Sequence, residues 1–307
     1  MPATAVAREK EIQLAKIKDE EEKPTSVARN LIKRALFPGH PLALRPEGTP
    51  ESVSRLNSKG LLAFRDRYVV ARNGVIAVFG NVRANEVRDL FEQKLGALPS
   101  GELALTNPPP SPQLTGTKIV ETEREKAQAV LVAGFRGADV FSPDRYALEL
   151  IDEASSDLGS RLFIRIREQM GLAYYVGAAQ IQTLVPGLFA FYLGTDPEKI
   201  EPVKQAFLDE IHKLSSDGLT AGELARAKKK LIGQQQIQNQ SNDVFAYMTA
   251  LDELYGLGFN HYRELEAKVN AVTRDEIKRV AAKYFGKQAY VLATVRPPGK
   301  PSISKSK

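Results

Sequence analysis

The chain has 307 residues, of which 43% are hydrophobic and 26% charged, with a formal net charge of +6 and no cysteine. This composition is typical of a globular protein long enough for two domains, and it excludes a disulfide scaffold, a thiol nucleophile and a thiolate metal site. The basic residues are spread along the sequence and are not interleaved with aromatic ones, so no nucleic-acid partner is expected. The sequence has no run of about 18 consecutive apolar residues, so no membrane span is predicted.

Capping residues mark the predicted helix starts. Three sites place a capping side chain before a proline at the first helical position, namely Thr49-Pro50, Ser142-Pro143 and Asp196-Pro197. Thr220 with Glu223 and Thr273 with Glu276 have the spacing of capping boxes. Strand-like apolar runs lie between them, at Val75 to Phe79, Lys118 to Glu121, Ala129 to Phe135, Leu188 to Leu193 and Tyr290 to Val295. Strands and helices do not alternate regularly, which predicts an α+β fold with a mostly antiparallel sheet and helices packed on one face.

An internal repeat predicts that the domain is duplicated. Leu61 to Phe79 reads as a helix end, a polar turn and an apolar strand, and Ile277 to Val295 has the same order. We predict a first domain over residues 1–101, a proline-rich linker over 102–116, a complete second domain over 117–298 and a basic tail over 299–307. If the two copies are similar in size, the first is truncated by roughly a hundred residues.

The stretch from Arg167 to Tyr174 has the pattern R-E-x-x-G-L-x-Y. It resembles the arginine–tyrosine pair of the insulinase/pitrilysin family of zinc peptidases, which belongs to the half of the molecule that does not hold the metal. Further segments carry the resemblance by their order and spacing: Phe37 to Pro41, Glu47 to Val53, Tyr68 to Val82, Leu158 to Phe163 and Gly218 to Leu224. The resemblance implies duplicated insulinase-type domains, the first of them truncated.

The resemblance also implies a role for each member of the pair. Arg167 would hold a carbonyl or carboxylate of the substrate, and Tyr174 would donate its hydroxyl to the oxyanion formed when zinc-bound water attacks a peptide carbonyl. The pattern alone allows simpler interpretations. Arg167 would complement the dipole of a helix that ends at Gly171, and Tyr174 would pack on one strand face with Leu172 and Val176.

The zinc motif of the family, H-x-x-E-H, is absent from this sequence. Its three histidines, His40, His212 and His261, are too far apart to form a metal-binding pair. The distal glutamate ligand of the family falls on Lys16, whose ammonium has no lone pair to offer, and a one-turn slip to Glu20 would still leave two histidines lacking. We therefore expect no cofactor on this chain and no activity of the chain alone.

The favoured interpretation is a non-catalytic subunit that completes the site of an H-x-x-E-H partner around an unfolded peptide. Two alternatives remain: a structural core subunit without a proteolytic role, or an incomplete reading of a longer peptidase. The sequence as written has no secretory signal, which predicts the cytoplasm. A periplasmic location would follow if the N-terminus is incomplete.

Overall fold

A computed structural model describes residues 2–102, 108, 110–126, 128–286 and 289–298. Parts of the predicted linker and the predicted basic tail lie outside the described residues. The helices are α1 (Ala3–Glu22), α2 (Pro24–Leu36), α3 (Pro50–Ser54), α4 (Ser58–Tyr68), α5 (Ala84–Leu95), α6 (Arg145–Ser155), α7 (Ile200–Asp217), α8 (Ala221–Gln238), α9 (Asn242–Leu254), α10 (Leu265–Ala271) and α11 (Arg274–Phe285). The strands are β1 (Lys118–Glu123), β2 (Ala129–Arg136), β3 (Tyr175–Ile181), β4 (Leu188–Thr195) and β5 (Val291–Arg296).

The five strands form one sheet in the order β1-β5-β2-β4-β3. Only β1 and β5 run parallel, and the other three pairings are antiparallel. The strands that the sequence predicts at 118, 129, 188 and 290 begin within one residue of those positions. The predicted α+β class is confirmed, with a mostly antiparallel sheet.

Contacts divide the described residues into two compact units. The sheet unit comprises Ala15–Gly48, Pro109–Ala227 and Val272–Lys307, and the helical unit comprises Met1–Leu14, Thr49–Pro108 and Lys228–Ala271. Neither unit is continuous in sequence. The units differ from the predicted domain bounds of 1–101 and 117–298, and those bounds stay a prediction.

One face of the sheet packs on α11, the helix that directly precedes β5. The rings of Phe135, Phe189 and Phe191 surround Phe285 of α11, with ring centroids 4.9 to 5.3 Å from that of Phe285. All three strand phenylalanines are at most 2% exposed. A close-packed aromatic cluster of this kind removes a large apolar area from water and anchors α11 against the strands.

The opposite face of the sheet is covered by α2. The apolar side of α2, with Val27, Ala28, Ile32 and Leu36, packs on Val130 and Val132 of β2 and on Val291, Ala293 and Val295 of β5. Gly134 makes this approach possible, because a Cβ atom there would lie 2.4 Å from Ile32. Helices therefore lie on both faces of the sheet, and the second face is covered by a segment that the sequence places in the first domain.

In the helical unit, none of the described residues belongs to a strand. Lys10 donates to the carbonyls of Ser54 and Leu56, at 2.7 and 3.1 Å, which ties α1 to the end of α3. Phe79 lies against α9, with its ring centroid 4.4 Å from that of Phe245. The unit is built from helices and extended connections around small apolar contacts.

The predicted strand over Val75 to Phe79 is wrong. The segment is extended, but no described strand pairs with it, and Val75, Ile76, Val78 and Phe79 are 36% to 56% exposed. The sequence pattern is that of a strand, yet a strand exists only through hydrogen bonds to neighbours, and the described part of the helical unit offers none.

The structure extends the internal repeat beyond the two stretches found in the sequence. In the first copy α2 begins at Pro24 and α4 at Ser58, and in the second copy α9 begins at Asn242 and α11 at Arg274, so the two helix starts are almost equally spaced in both copies. A short 3₁₀ turn follows α2 at Pro41–Ala43, and another follows α9 at His261–Arg263. The last apolar segment, which starts at Val75 or Val291, follows the start of the last helix at the same interval in both copies. α2, from the first copy, belongs to the sheet unit, which also holds β5 of the second copy. α9, from the second copy, belongs to the helical unit, which also holds Val75 to Phe79 of the first copy.

The helix starts agree with the sequence except at one site. Thr49 caps α3, and Thr220 and Glu223 form the predicted capping box at 3.2 and 2.8 Å. Asp196 caps a 3₁₀ turn that leads into α7. α6 begins at Arg145, later than Ser142-Pro143 predicts, and the residue before it, Asp144, binds Arg279 and Lys283 of α11 through its carboxylate. Among the described residues, no helix combines the length and apolar character needed to cross a membrane.

Candidate functional site

Arg167 lies in a π-helical segment, Phe163–Gln169. Ser160 accepts a hydrogen bond from the Phe163 amide at 3.1 Å where the segment begins, and the Met170 amide donates to the Arg165 carbonyl at 3.1 Å where it ends. Phe163 and Ile166 are buried, whereas Arg167 is exposed, and its guanidinium lies 4.9 Å from the centroid of the Phe163 ring. π-helical turns are rare and recur at functional sites because they re-aim side chains. In this segment Arg167 is presented to solvent while Phe163 and Ile166 are buried.

Gly171 ends this segment as the sequence predicts. Its φ of +62° is the left-handed conformation that residues with a Cβ atom rarely adopt. The Gly171 amide donates to the Arg167 carbonyl at 3.2 Å, and the Leu172 amide donates to the Ile166 carbonyl at 3.0 Å. The chain therefore reverses within two residues of the helix end and is led back toward the sheet.

Tyr174 lies immediately before β3, which begins at Tyr175. The Tyr174 amide donates to the Gly194 carbonyl at 2.8 Å, and 51% of the residue is exposed. The expected strand alternation of Leu172, Tyr174 and Val176 is wrong, because β3 starts later and Leu172 belongs to the turn. An exposed ring is also inconsistent with the core-packing interpretation of Tyr174.

The tyrosine next to it has a different environment. The ring of Tyr175 lies over Gly194, where a Cβ atom would meet the ring at 2.3 Å. Burial raises the pKa of Tyr175, and the neighbouring Tyr192 raises it further. Of the two adjacent tyrosines, Tyr175 is a packing residue and Tyr174 is the one presented to solvent.

The structure thus places Arg167 in the π-helical segment and Tyr174 at the end of the turn that follows it, Gly171–Tyr174, and exposes both side chains. Each supplies hydrogen-bond donors, and the guanidinium adds a permanent positive charge. Such a pair is suited to hold a carbonyl or carboxylate oxygen and to stabilise negative charge on it. It has no group that generates a nucleophile. The roles assigned to the two residues from the family resemblance stay predictions.

A buried ion pair that the sequence analysis missed supports the loop before Arg167. Arg161 donates to both carboxylate oxygens of Glu223, at 2.9 and 2.6 Å, and to the Gly218 carbonyl at 3.0 Å. Burial is the largest single effect and raises the pKa of Glu223, but the hydrogen bond and charge of Arg161 together with the hydrogen bonds from Thr220 hold that pKa below its ordinary value. The capping box at Thr220 was visible in the sequence. Its link to Arg161, which lies far away in the sequence, has no local signal.

The described residues do not fit a zinc ion. Among them no group of three or more His, Cys, Asp or Glu side chains is arranged to hold a metal. Lys16 is an exposed residue of α1, and an ammonium cannot serve as a ligand. His40 is committed to its own loop, because its Nδ1 accepts a hydrogen bond from the Leu42 amide at 3.0 Å. The expectation that this chain carries no cofactor remains a prediction for metal analysis.

Comparisons with known proteins identify the family of the chain. The family model described as "Peptidase M16 inactive domain" matches residues 55–231. An uncharacterized zinc protease of Bacillus subtilis, YmxG, is 25% identical over 293 residues, which cover 95% of this chain and 70% of the relative. Coverage of the relatives falls to 58% for a zinc protease of Rickettsia bellii. The chain therefore spans between somewhat more than half and about two thirds of the relatives it matches.

Solved structures give the same answer. A Pseudomonas fluorescens structure titled as a peptidase M16 inactive domain superposes with a TM-score of 0.88 at 25% identity, covering 97% of this chain and 71% of that one. A chain of Complex III2 from Candida albicans has the same fold, with a TM-score of 0.78 at 18% identity, covering 94% of this chain and 70% of that one. The resemblance to zinc peptidases of the insulinase/pitrilysin type is confirmed. The chain belongs to the Peptidase M16 family and contains the inactive domain of that zinc-protease family.

Proposed function

We propose that this chain is the non-catalytic, substrate-binding half of a zinc metallopeptidase. Its Arg167 and Tyr174 complete the peptide-cleavage site of a partner that carries H-x-x-E-H and the zinc ion. The substrate is an unfolded peptide enclosed between the two. The observation that carries the proposal is the joint exposure of Arg167, in the π-helical segment, and Tyr174, at the end of the hydrogen-bonded turn that follows it.

The arrangement supports capture of a peptide rather than cleavage by this chain alone. The planar guanidinium of an arginine can donate two N–H groups at once to a carbonyl or carboxylate of a peptide. The phenolic hydroxyl of Tyr174 would add a donor where negative charge develops during attack on a peptide carbonyl. Both donors are useful only beside a nucleophile, and the described residues do not supply the ligands that would generate one from zinc-bound water.

A reconstitution experiment tests the proposal. The purified chain is mixed with a homologous H-x-x-E-H subunit, and cleavage of a mixture of internally quenched peptides is followed. We expect cleavage from the mixture and none from this chain alone. Tyr174→Phe should lower turnover on the order of a hundredfold, the typical loss for a removed oxyanion donor. Tyr175→Phe, one residue away but packed over Gly194, is the matched control and should leave turnover unchanged.

Arginine variants separate charge from geometry in the same assay. Arg167→Ala should raise KM strongly because substrate capture is lost, while Arg167→Lys keeps the charge and loses the fork, so it should fall between the wild type and the alanine variant. Unchanged cleavage for both Tyr174→Phe and Arg167→Ala in an active mixture would contradict the proposal.

A second candidate function is that of a structural core subunit of a larger assembly. It is favoured by the apolar surface of the helical unit, where Ile76 and Val82 are more than half exposed. Exposed apolar stretches of this kind mark association surfaces. Under this function Tyr174→Phe and Arg167→Ala would leave both assembly and the activity of the partner unchanged, so the same mixture distinguishes the two candidates.

A further inference from the structure

The turn Gly171–Tyr174 is held from the side by the end of β4 and the residues after it. The Gly194 carbonyl accepts from the Tyr174 amide at 2.8 Å. The Thr195 hydroxyl donates to the Leu172 carbonyl, and the Lys199 ammonium donates to the Gly171 carbonyl at 3.3 Å. Three successive attachments therefore come from one short segment, Gly194–Lys199, and none of them involves the side chain of Arg167 or Tyr174.

Thr195 is the innermost of these attachments. It is fully buried, and its hydroxyl reaches across to a carbonyl 23 residues earlier in the chain. A buried hydroxyl needs a partner, and a carbonyl at a chain reversal needs a donor, so each satisfies the other. Lys199 is exposed and holds the outer carbonyl through a long flexible stem, which makes it the weaker attachment.

The backbone around Thr195 is itself fixed. Gly194 pairs with Tyr175 in the β3–β4 ladder, and the ring of Tyr175 occupies the space that a side chain at 194 would need. Beyond Thr195, the side chain of Asp196 accepts from the Glu198 amide at 3.0 Å and its carbonyl accepts from the Lys199 amide at 2.9 Å. The segment that grips the turn is therefore a rigid support.

We infer that Thr195 is a positioning residue that sets the conformation of the Gly171–Tyr174 turn and so the spacing between Arg167 and Tyr174. The inference rests on the proposed function of that pair. Donor groups stabilise a developing charge only when they are held near the productive geometry, and displacement by about 1 Å can cost a hundredfold in rate. Thr195 touches neither substrate nor metal in this scheme, and it acts through the Leu172 carbonyl.

The first test needs no partner and no activity. Thr195→Val keeps the size of the buried side chain and removes the donor, whereas Thr195→Ser keeps the donor. Hydrogen exchange of the full chain should show that Thr195→Val speeds exchange at the Leu172 to Tyr174 amides by about tenfold or more and leaves β2 unchanged. Thr195→Ser should stay close to wild type. Thr294→Val, at a buried threonine of β5, is the control and should not affect the turn.

The second test uses the reconstituted cleavage assay. Thr195→Val should lower kcat by about tenfold or more with little change in KM, and Thr195→Ser should restore most of the rate. In the Tyr174→Phe background the same Thr195→Val change should cost much less, because two residues that act through one contact are not additive. Equal losses in both backgrounds would show that Thr195 acts by another route and would overturn the inference.

The two tests fail in different ways. Turn exchange that is unchanged in Thr195→Val overturns the positioning role whatever the cleavage assay shows. A different result is faster hydrogen exchange of the turn amides in Thr195→Val together with an active mixture whose cleavage rate is unchanged by Tyr174→Phe. That result overturns the proposed function but supports the role of Thr195 in holding the turn.

Discussion

The two copies of the repeat end in segments that differ sharply in their surroundings. Val291 to Val295 forms the centre of β5, pairs with β1 on one side and β2 on the other, and is at most 4% exposed. Val75 to Phe79 occupies the matching place in the first copy, has the same apolar character, and is largely exposed with no described strand beside it. An apolar sequence with high β-propensity can therefore pair as a strand, but it does so only where a neighbouring strand is available.

Hydrogen exchange gives the largest expected contrast between the two segments. The amides of β5 should be slowed by a factor of about 10³ or more, because exchange there requires opening of the sheet. The amides of Val75 to Phe79 should exchange within about tenfold of an unstructured chain. Comparable protection of both segments in the isolated chain would break the comparison.

A matched pair of apolar substitutions tests the same comparison between the two segments through stability. Leu292 and Ile76 occupy equivalent places in the two copies, with 4% and 56% exposure. Leu292→Ala should lower the free energy of unfolding by about 2–5 kcal/mol, since a buried leucine leaves a cavity. Ile76→Ala should change it by less than about 0.5 kcal/mol. Chemical denaturation followed by circular dichroism measures both, and a large effect of Ile76→Ala would show that its segment is buried in solution.

Ion pairs extend the comparison to electrostatics and pH. Glu223→Gln, in the sheet unit, removes the carboxylate partner of the partly buried Arg161 and should cost about 1–3 kcal/mol at neutral pH. Glu86→Gln, in the helical unit, breaks an exposed pair with Arg83 and should be nearly neutral. The folded-state pKa of Glu223 is depressed, so its contribution is present above the ordinary glutamate pKa and is lost as pH falls through the lower folded value.

The pH dependence supplies the control for that pair. Wild-type stability should fall on acidification more steeply than that of Glu223→Gln, because the variant has no carboxylate to protonate. Glu86→Gln should follow the wild-type curve. Parallel curves for wild type and Glu223→Gln would contradict the depressed pKa.

Two glycines provide the smallest and most local test. At Gly194 a Cβ atom would meet the ring of Tyr175 at 2.3 Å, so Gly194→Ala should cost about 1–3 kcal/mol as the ring is displaced. A Cβ atom added at Gly74 would meet no atom within 4 Å, and the backbone there is extended. Gly74→Ala should therefore be neutral or stabilising by a few tenths of a kcal/mol. Thermal unfolding of the two variants beside the wild type measures the difference.

The sequence predicts most of what is locally determined. The capping box of Thr220 and Glu223 and the left-handed Gly171 depend on residues within a few positions, and both are present. Four strands lie where their apolar runs predict them. The exposure of Tyr174 follows from the late start of β3, which the alternation pattern does not reveal.

Non-local contacts account for what the sequence does not reveal. Asp144, just before α6, binds two cations of α11 that lie more than 130 residues away. Thr195 and Arg161 reach partners 23 and 62 residues distant. The π-helical form of the segment around Arg167 has no sequence signature, since its periodicity resembles that of an ordinary helix end. The sequence therefore identifies Arg167 and Tyr174 as candidates, whose roles stay predictions, but it does not reveal the side chains that contact the turn between them.

The position of α2 on the sheet has a consequence for how the protein is made. Because α2 spans residues 24–36 and β5 spans 291–296, the helix leaves the ribosome long before the strand that it covers most fully. Until β5 is synthesised, β1 lacks its parallel neighbour and the apolar side of α2 has only part of its surface to cover. Contacts so distant in sequence form slowly and leave apolar surface open during translation. The nascent chain should therefore leave part of the apolar side of α2 exposed until β5 has emerged.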